Sequence, residues 1–143
     1  QHDDKSQEKV LRNKTILLAE DNELNAEIAM TILQDAHARV EVASDGAIAL
    51  SMLKEAPAGY YDVILMDIQM PHMNGYQASE AIRKLLDDRA RTPIIAMTAN
   101  AFEEDHKAAL EAGMDAYVAK PIEIDTPFST ITQVLNKDSL DLK

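Results

Sequence analysis

The run Val63-Ile64-Leu65-Met66, bounded by Asp62 and Asp67 and followed at position 71 by a proline, constrains this chain more than any other stretch. Four apolar residues without polar alternation suit a strand buried on both faces, as strands are in a parallel sheet. Pro71 cannot donate to a ladder, so the strand cannot simply continue, and Asp67 falls where strand gives way to loop. A carboxylate at the carboxyl end of a buried strand lies on the rim where open α/β sheets hold their ligands. Asp67 is therefore the first candidate for a reactive residue, weighed against the plain reading that it only caps a turn. Taken alone, the turn cap is the better reading; the other residues expected at the same rim reverse it.

The remaining chain repeats the pattern. Thr15 to Ala19 (T-I-L-L-A) is a second buried strand, ending at the acidic pair Glu20-Asp21. Arg39 to Ala43 alternates Val40 and Val42 with charged neighbours, as a strand near a sheet edge does. Ile94 to Met97 follows Pro93 and ends at Thr98, and Ala116 to Ala119 ends at Lys120-Pro121. Helices fill the intervals. Asn22 can cap one from Leu24 to Ala36, and Ser44 or Asp45 starts another to Glu55, with Ile48, Leu50, Met52 and Leu53 as its apolar positions. Pro57 and Gly59 separate that helix from the central strand. After the loop His72-Met73-Asn74-Gly75 a helix is expected to Leu86, and Ala101 to Ala112 forms another closed by Gly113. Asp125 or Thr126, with Pro127 in the first turn, opens a last helix to Asn136.

Five strands alternating with five helices predict an α/β fold, a doubly wound parallel sheet with helices on both faces. Residues 15–136 form its single domain, with residues 1–14 and 137–143 read as polar tails. The first and third strands meet where the winding reverses, which brings Glu20, Asp21 and Asp67 to one rim, with Thr98 and Lys120 at the ends of the next two strands.

Composition narrows the function. Fourteen basic residues against 25 acidic ones leave a net charge of −11 in 143 residues, which argues against nucleic-acid binding. The absence of cysteine excludes disulfides and thiolate chemistry and agrees with a reducing, cytoplasmic setting. No apolar run approaches the roughly 20 residues of a membrane span, so no membrane insertion by this chain is expected, although a longer parent protein could be anchored. A first residue of Gln instead of Met suggests a segment cut from something longer.

The rim chemistry follows from the residue types. Clustered carboxylates repel one another unless a cation sits among them. Oxygen donors without His or Cys favour Mg²⁺, which uses one or two carboxylates with water and phosphate. A carboxylate can attack phosphorus to give an aspartyl phosphate, whose oxygens then need positive charge and donors such as Lys120 and the Thr98 hydroxyl. The histidines, the methionines and the acidic run near position 104 have plainer readings. His2, His37, His72 and His106 share no ligand spacing and read as surface residues. The seven methionines read as core filler. Glu103, Glu104 and Asp105 suit the positive end of a helix dipole.

The stretches L-L-A-E-D-N (17–22), V-I-L-M-D-I-Q-M-P-H-M-N-G (63–75), I-I-A-M-T-A-N-A (94–101) and A-Y-V-A-K-P (116–121) resemble receiver domains of two-component response regulators, most of all those of hybrid histidine kinases. The resemblance implies a flavodoxin-like sheet of order 2-1-3-4-5. It implies that Asp67 takes a phosphoryl group from the phosphohistidine of a histidine kinase or phosphotransfer domain. Asp21, Asp67 and the Gln69 backbone carbonyl would ligate Mg²⁺, with Glu20 acting through water. Lys120 would pair with the phosphate, Thr98 and Tyr117 would form the switch, and the Lys120-Pro121 peptide would be cis. Glu20 stands where the family more often has aspartate, and Thr126-Pro127-Phe128 departs from its usual last-helix start.

Two alternatives stay open on this scaffold. A Mg²⁺-dependent hydrolase with an aspartyl-phosphate intermediate would typically carry a second acid two residues after the nucleophile, where this chain has Gln69. A pseudo-receiver would bind partners without phosphorylation, yet all five rim residues are present. On the first helix, Ala26, Ala29, Met30, Leu33 and Ala36 form the stripe that should face the sheet, widened by Ile28 and Ile32. Leu24 and Ile28 are the candidates for docking a helical donor domain beside Asp67; the competing reading is a broad buried face with Leu24 as a staple.

Overall fold

Five short strands, β1 (Thr15–Ala19), β2 (Arg39–Ala43), β3 (Val63–Asp67), β4 (Ile94–Thr98) and β5 (Ala116–Ala119), pair in the order β2-β1-β3-β4-β5. Every pairing is parallel. The computed structural model describes residues 13–68, 70, 72–98 and 103–119. The winding reverses between β1 and β3, both of which are buried along their whole length. Their continuous apolar runs have this cause: both faces are covered, so neither face tolerates polar alternation. Strand β2 stands at the edge, and Val42 there is 39% exposed.

Four helices are described: α1 (Glu23–Asp35), α2 (Gly46–Glu55), α3 (Gly75–Arg83) and α4 (Glu103–Glu111). Ala26, Ala29 and Leu33 of α1 pack on the sheet face formed by Ile16, Leu18, Val63 and Leu65. The opposite face, with Leu17, Ile64, Met66 and Ala96, receives Ala49 and Leu53 of α2, Ala78 and Ile82 of α3, and Ala109 of α4. Successive β3 residues thus serve opposite cores, as the two-residue period of a strand requires.

The helix starts follow the sequence. The side chains of Asn22, Asp45 and Asn74 accept from the N–H groups of Asn25, Ile48 and Gln77 at 2.9, 2.8 and 2.8 Å. At α3 the Gln77 side chain also accepts from the Asn74 N–H, closing a capping box. Gly113, at φ 96°, closes α4, while Met114 N–H donates to the Ala109 carbonyl at 3.0 Å.

Two expectations need correction. Helix α3 stops at Arg83 instead of Leu86, and a short 3-10 helix, Asp88–Arg91, follows it. The Arg83 guanidinium donates to the carbonyls of Gly113 (2.7 Å), Ala90 (2.8 Å) and Thr92 (2.7 Å) and pairs with Asp115 at 2.9 Å. Those bonds hold the approach to β4 against the last turn of α3, so the helix cannot run on. Burial pushes the Arg83 pKa down, partly offset by Asp115. In α2, Ile48 is 40% exposed, and Gly46 and Ala49 take the inward positions with Leu53. A helical period puts 46, 49 and 53 on one face and turns Ile48 away from it. The last helix (Asp125 to Asn136) and both expected tails, apart from residues 13 and 14, lie outside the described residues, as do residues 101 and 102. Among the described residues no helix is long and apolar enough to cross a membrane.

Candidate functional site

The register of β1 against β3 sets Ala19 opposite Met66, so the residues that follow, Glu20 just past β1 and Asp67 at the end of β3, lie side by side at the rim. Glu20 still donates its N–H to the Ala43 carbonyl at 3.0 Å, and its side chain accepts from the Asn22 N–H at 3.1 Å. Carboxylate oxygens of Glu20, Asp21 and Asp67 lie within 4.8 Å of one another. Glu20 and Asp67 are 4% and 3% exposed, whereas Asp21 is open to solvent.

Three carboxylates drawn this close, two of them buried, repel in the absence of a counter-charge. The cluster offers only oxygen donors, with no histidine or cysteine among them. That donor set fits Mg²⁺, which takes oxygen ligands at about 2.0–2.1 Å and completes its shell with water.

The loop after Asp67 is held from several sides. Ile68 N–H donates to the Met97 carbonyl at 3.1 Å, and the Ile68 carbonyl accepts from Gly75 N–H at 2.9 Å. A Cβ at position 75 would stand 2.4 Å from the Asp67 carbonyl oxygen, so only glycine lets α3 begin there. Gly46, the first residue of α2, donates its N–H to the Met73 carbonyl at 3.1 Å. The Asp45 carboxylate caps α2 with one oxygen and lies 3.0 Å from His72 Nδ1 with the other. The Ile48 N–H, and then His72, hold the Asp45 pKa below its ordinary value.

The structure therefore brings together Glu20, Asp21 and Asp67. Thr98 is the last residue of β4, one position beyond Met97, the Asp67 partner in the ladder. Tyr117 lies in β5 opposite Ala96 and packs, partly buried, against the core beneath α2, α3 and α4. Gln69, Lys120 and Pro121 lie outside the described residues, so the backbone ligand, the phosphate-pairing lysine and the cis peptide are not placed. Leu24 and Ile28, 65% and 42% exposed, stand on the first two turns of α1, immediately after the acidic pair. The apolar stripe expected to face the sheet does so at Ala26, Ala29, Leu33 and Ala36, while Met30 is half-buried.

Sequence reasoning missed the bond between Asp45 and His72. A cap at Ser44 or Asp45 was legible, and the structure settles it on Asp45, but nothing at His72 marks a partner 27 residues away. His72 is exposed, as expected of a surface histidine, yet its Nδ1 lies 3.0 Å from Asp45 Oδ2.

Comparison with known proteins gives one answer. The response regulator receiver domain pattern matches residues 16–132. The chain is 40% identical over 126 residues to hybrid signal transduction histidine kinase M of Dictyostelium discoideum, covering 86% of this chain and 5% of that protein. It is 39% identical over 113 residues to the sensor histidine kinase GacS of Pseudomonas protegens, covering 78% of this chain and 12% of that protein. The chain thus spans only a small part of the curated relatives it matches. Among solved structures it resembles the receiver domain of a Pseudomonas aeruginosa sensor histidine kinase with a magnesium ion coordinated in the active site cleft. There the TM-score is 0.77 at 35% identity, over 86% of this chain and 98% of that one. It also resembles a chain in the co-crystal of the Saccharomyces cerevisiae histidine phosphotransfer protein Ypd1 and the receiver domain of the response regulator Ssk1. In that case the TM-score is 0.80 at 27% identity, over 91% of this chain and 94% of that one. Sheet order, rim carboxylates and these likenesses converge: the chain belongs to the response regulator receiver family and is a receiver domain of two-component phosphorelay signalling.

Proposed function

We propose that Asp67 is the phosphoacceptor of this domain and takes its phosphoryl group from a phosphohistidine in a Mg²⁺-dependent reaction. The observation that carries this reading is a buried carboxylate at the end of β3 with the Glu20 and Asp21 carboxylates within 4.8 Å of it. An Asp67 oxygen forms the new bond to phosphorus as the N–P bond of the phosphohistidine breaks. The imidazole leaves with the electron pair and takes up a proton from solvent. Asp21, Asp67 and the Gln69 carbonyl are the groups assigned to Mg²⁺, with Glu20 acting through water; when bound, the ion offsets the charge that gathers on the phosphoryl oxygens. Lys120 is assigned to pair with those oxygens and the Thr98 hydroxyl to donate to them. Thr98 and Tyr117 then report the phosphorylated state to partners.

The donor is a histidine kinase or a histidine phosphotransfer domain, and its docking surface includes Leu24 and Ile28. Their exposure beside the rim supports this, because a helical partner seated on α1 sets its histidine near Asp67. The parent protein, in this reading, is a hybrid histidine kinase whose receiver portion faces the cytoplasm. Nucleic acid is not among the expected partners, given the net charge of −11.

The test is labelling by acetyl phosphate followed by mass spectrometry. Wild type with Mg²⁺ should gain one phosphate on Asp67, little without the metal, and Asp67→Asn none. An equal adduct on wild type and Asp67→Asn would refute the assignment.

A further inference from the structure

The loop after Asp67 is fastened to α2 by contacts that the phosphoacceptor chemistry does not require. The Asp45 carboxylate is 7% exposed and serves two elements at once: Oδ1 accepts from Ile48 N–H at 2.8 Å, and Oδ2 lies 3.0 Å from His72 Nδ1. One residue on along each segment, Gly46 N–H donates to the Met73 carbonyl at 3.1 Å. A Cβ at Gly46 would come within 2.4 Å of that same oxygen, so the two backbones touch. His72 holds φ at 67°, a left-handed conformation uncommon outside glycine, although histidine adopts it more often than most side chains. The loop's far end is closed by the Ile68 carbonyl accepting from Gly75 N–H at 2.9 Å. Of these anchors, His72 is the one whose side chain stands largely in solvent, 77% exposed, so its bond to Asp45 is not a by-product of packing.

We propose that His72 and Asp45 are positioning residues for the carboxylate site: the pair holds the loop after Asp67 against the start of α2 and so sets the affinity of the site for a divalent cation. The proposal rests on the Mg²⁺ reading of Glu20, Asp21 and Asp67. The physical argument is preorganisation. A loop already held spends less ordering entropy when the ion binds, and supports outside the ligand set tune metal affinity as ligands do. Neither residue would touch the ion; both act through the seating of His72, Met73 and Gly75, whose N–H holds the Ile68 carbonyl next to Asp67.

The backbone conformation dictates the variants. His72→Gly removes the side chain and relieves the left-handed φ, so it isolates the lost bond from backbone strain. His72→Asn returns an N–H donor near the Nδ1 position on a residue that also tolerates positive φ. Asp45→Ser keeps a helix cap but is too short to reach His72. Mg²⁺ is titrated into each variant of the domain and followed by the amide NMR shifts of Ile68 and Gly75, with metal-free thermal melts run alongside. His72→Gly and Asp45→Ser should each weaken Mg²⁺ about tenfold, the lower end of what loss of a support outside the ligand set costs. His72→Asn should recover most of the affinity, and the double variant His72→Gly/Asp45→Ser should bind no more weakly than either single one. If Asp45→Ser melts early, the comparison of His72→Gly with His72→Asn decides alone, since both leave the α2 cap in place. Unchanged affinity in His72→Gly, equal weakening in His72→Gly and His72→Asn, or additive losses in the double variant would overturn the positioning role while leaving the site intact. A wild type that shows no Mg²⁺ binding would overturn the site reading, and this proposal with it.

Discussion

The backbone of Gly75 lies directly on that of Asp67: a Cβ at position 75 would be 2.4 Å from the Asp67 carbonyl oxygen and 2.9 Å from the Ile68 Cα. The first turn of α3 is thus seated on the end of β3, and the phosphoacceptor candidate is fixed from behind as well as through its strand neighbours. Both contacts are backbone atoms of buried residues, not the far ends of flexible side chains that could swing aside.

Gly75→Ala should therefore cost about 1–3 kcal/mol of folding stability, the range for forcing a methyl into a packed interior. Urea denaturation of the metal-free domain checks this. The variant should also disturb the NMR signals of Ile68 and Asp67 more than those of the distant β2 edge. Unchanged stability would mean that α3 can slide away from β3, contrary to the seating described.

On the solvent side of α1, Leu24→Glu or Ile28→Glu should slow phosphotransfer from a protein donor while sparing labelling by acetyl phosphate. Both side chains are exposed, 65% and 42%, so folding stability should change by no more than about 0.5 kcal/mol. Measuring the two transfer rates on each variant is the check. Equal loss with both donors would assign these residues to the site or the core instead of to docking.

At the other end of the sheet, the Tyr60 and Tyr61 hydroxyls donate to the two oxygens of Glu41 at 2.6 and 2.7 Å. These bonds, Tyr60 first, hold the Glu41 pKa below its ordinary value of 4.5. A carboxylate with a depressed folded pKa adds stability that is complete above its unfolded pKa and is lost as the pH falls through the folded one. The Tyr60→Phe/Tyr61→Phe variant should accordingly be less stable than wild type at neutral pH, and the gap should narrow as the pH falls below 4.5. Denaturation curves across the acid range test this; a gap that stays constant with pH would assign the loss to packing alone. Burial, with Glu41 second, pushes the Tyr61 phenol pKa up, so it stays neutral throughout and does not confound the comparison.

The strands were legible because each is a short segment with its own apolar signature: Val63 to Met66 and Ile16 to Ala19 are buried on both faces, and the continuous run is the trace of that burial. The cap Asn22, the start of α2 at Ser44 or Asp45, and the closing glycine Gly113 were legible for the same reason, since each acts within a few residues of itself. The end of α3 was not, because it depends on Arg83 reaching Gly113 and Asp115, 30 and 32 residues on.

The amino-acid sequence alone determined the class of sheet, the residues that end its strands, and, through four motif stretches, the receiver family. Only the tertiary structure decided that Glu20, Asp21 and Asp67 come within 4.8 Å of one another, that Ile48 turns outward, and that Asp45 bonds His72. The division has a physical cause. Strand propensity, caps and turns are settled by local sterics and hydrogen bonds. Distances between residues far apart in the chain are set by strand register and helix seating, which emerge only when the two cores close around the sheet.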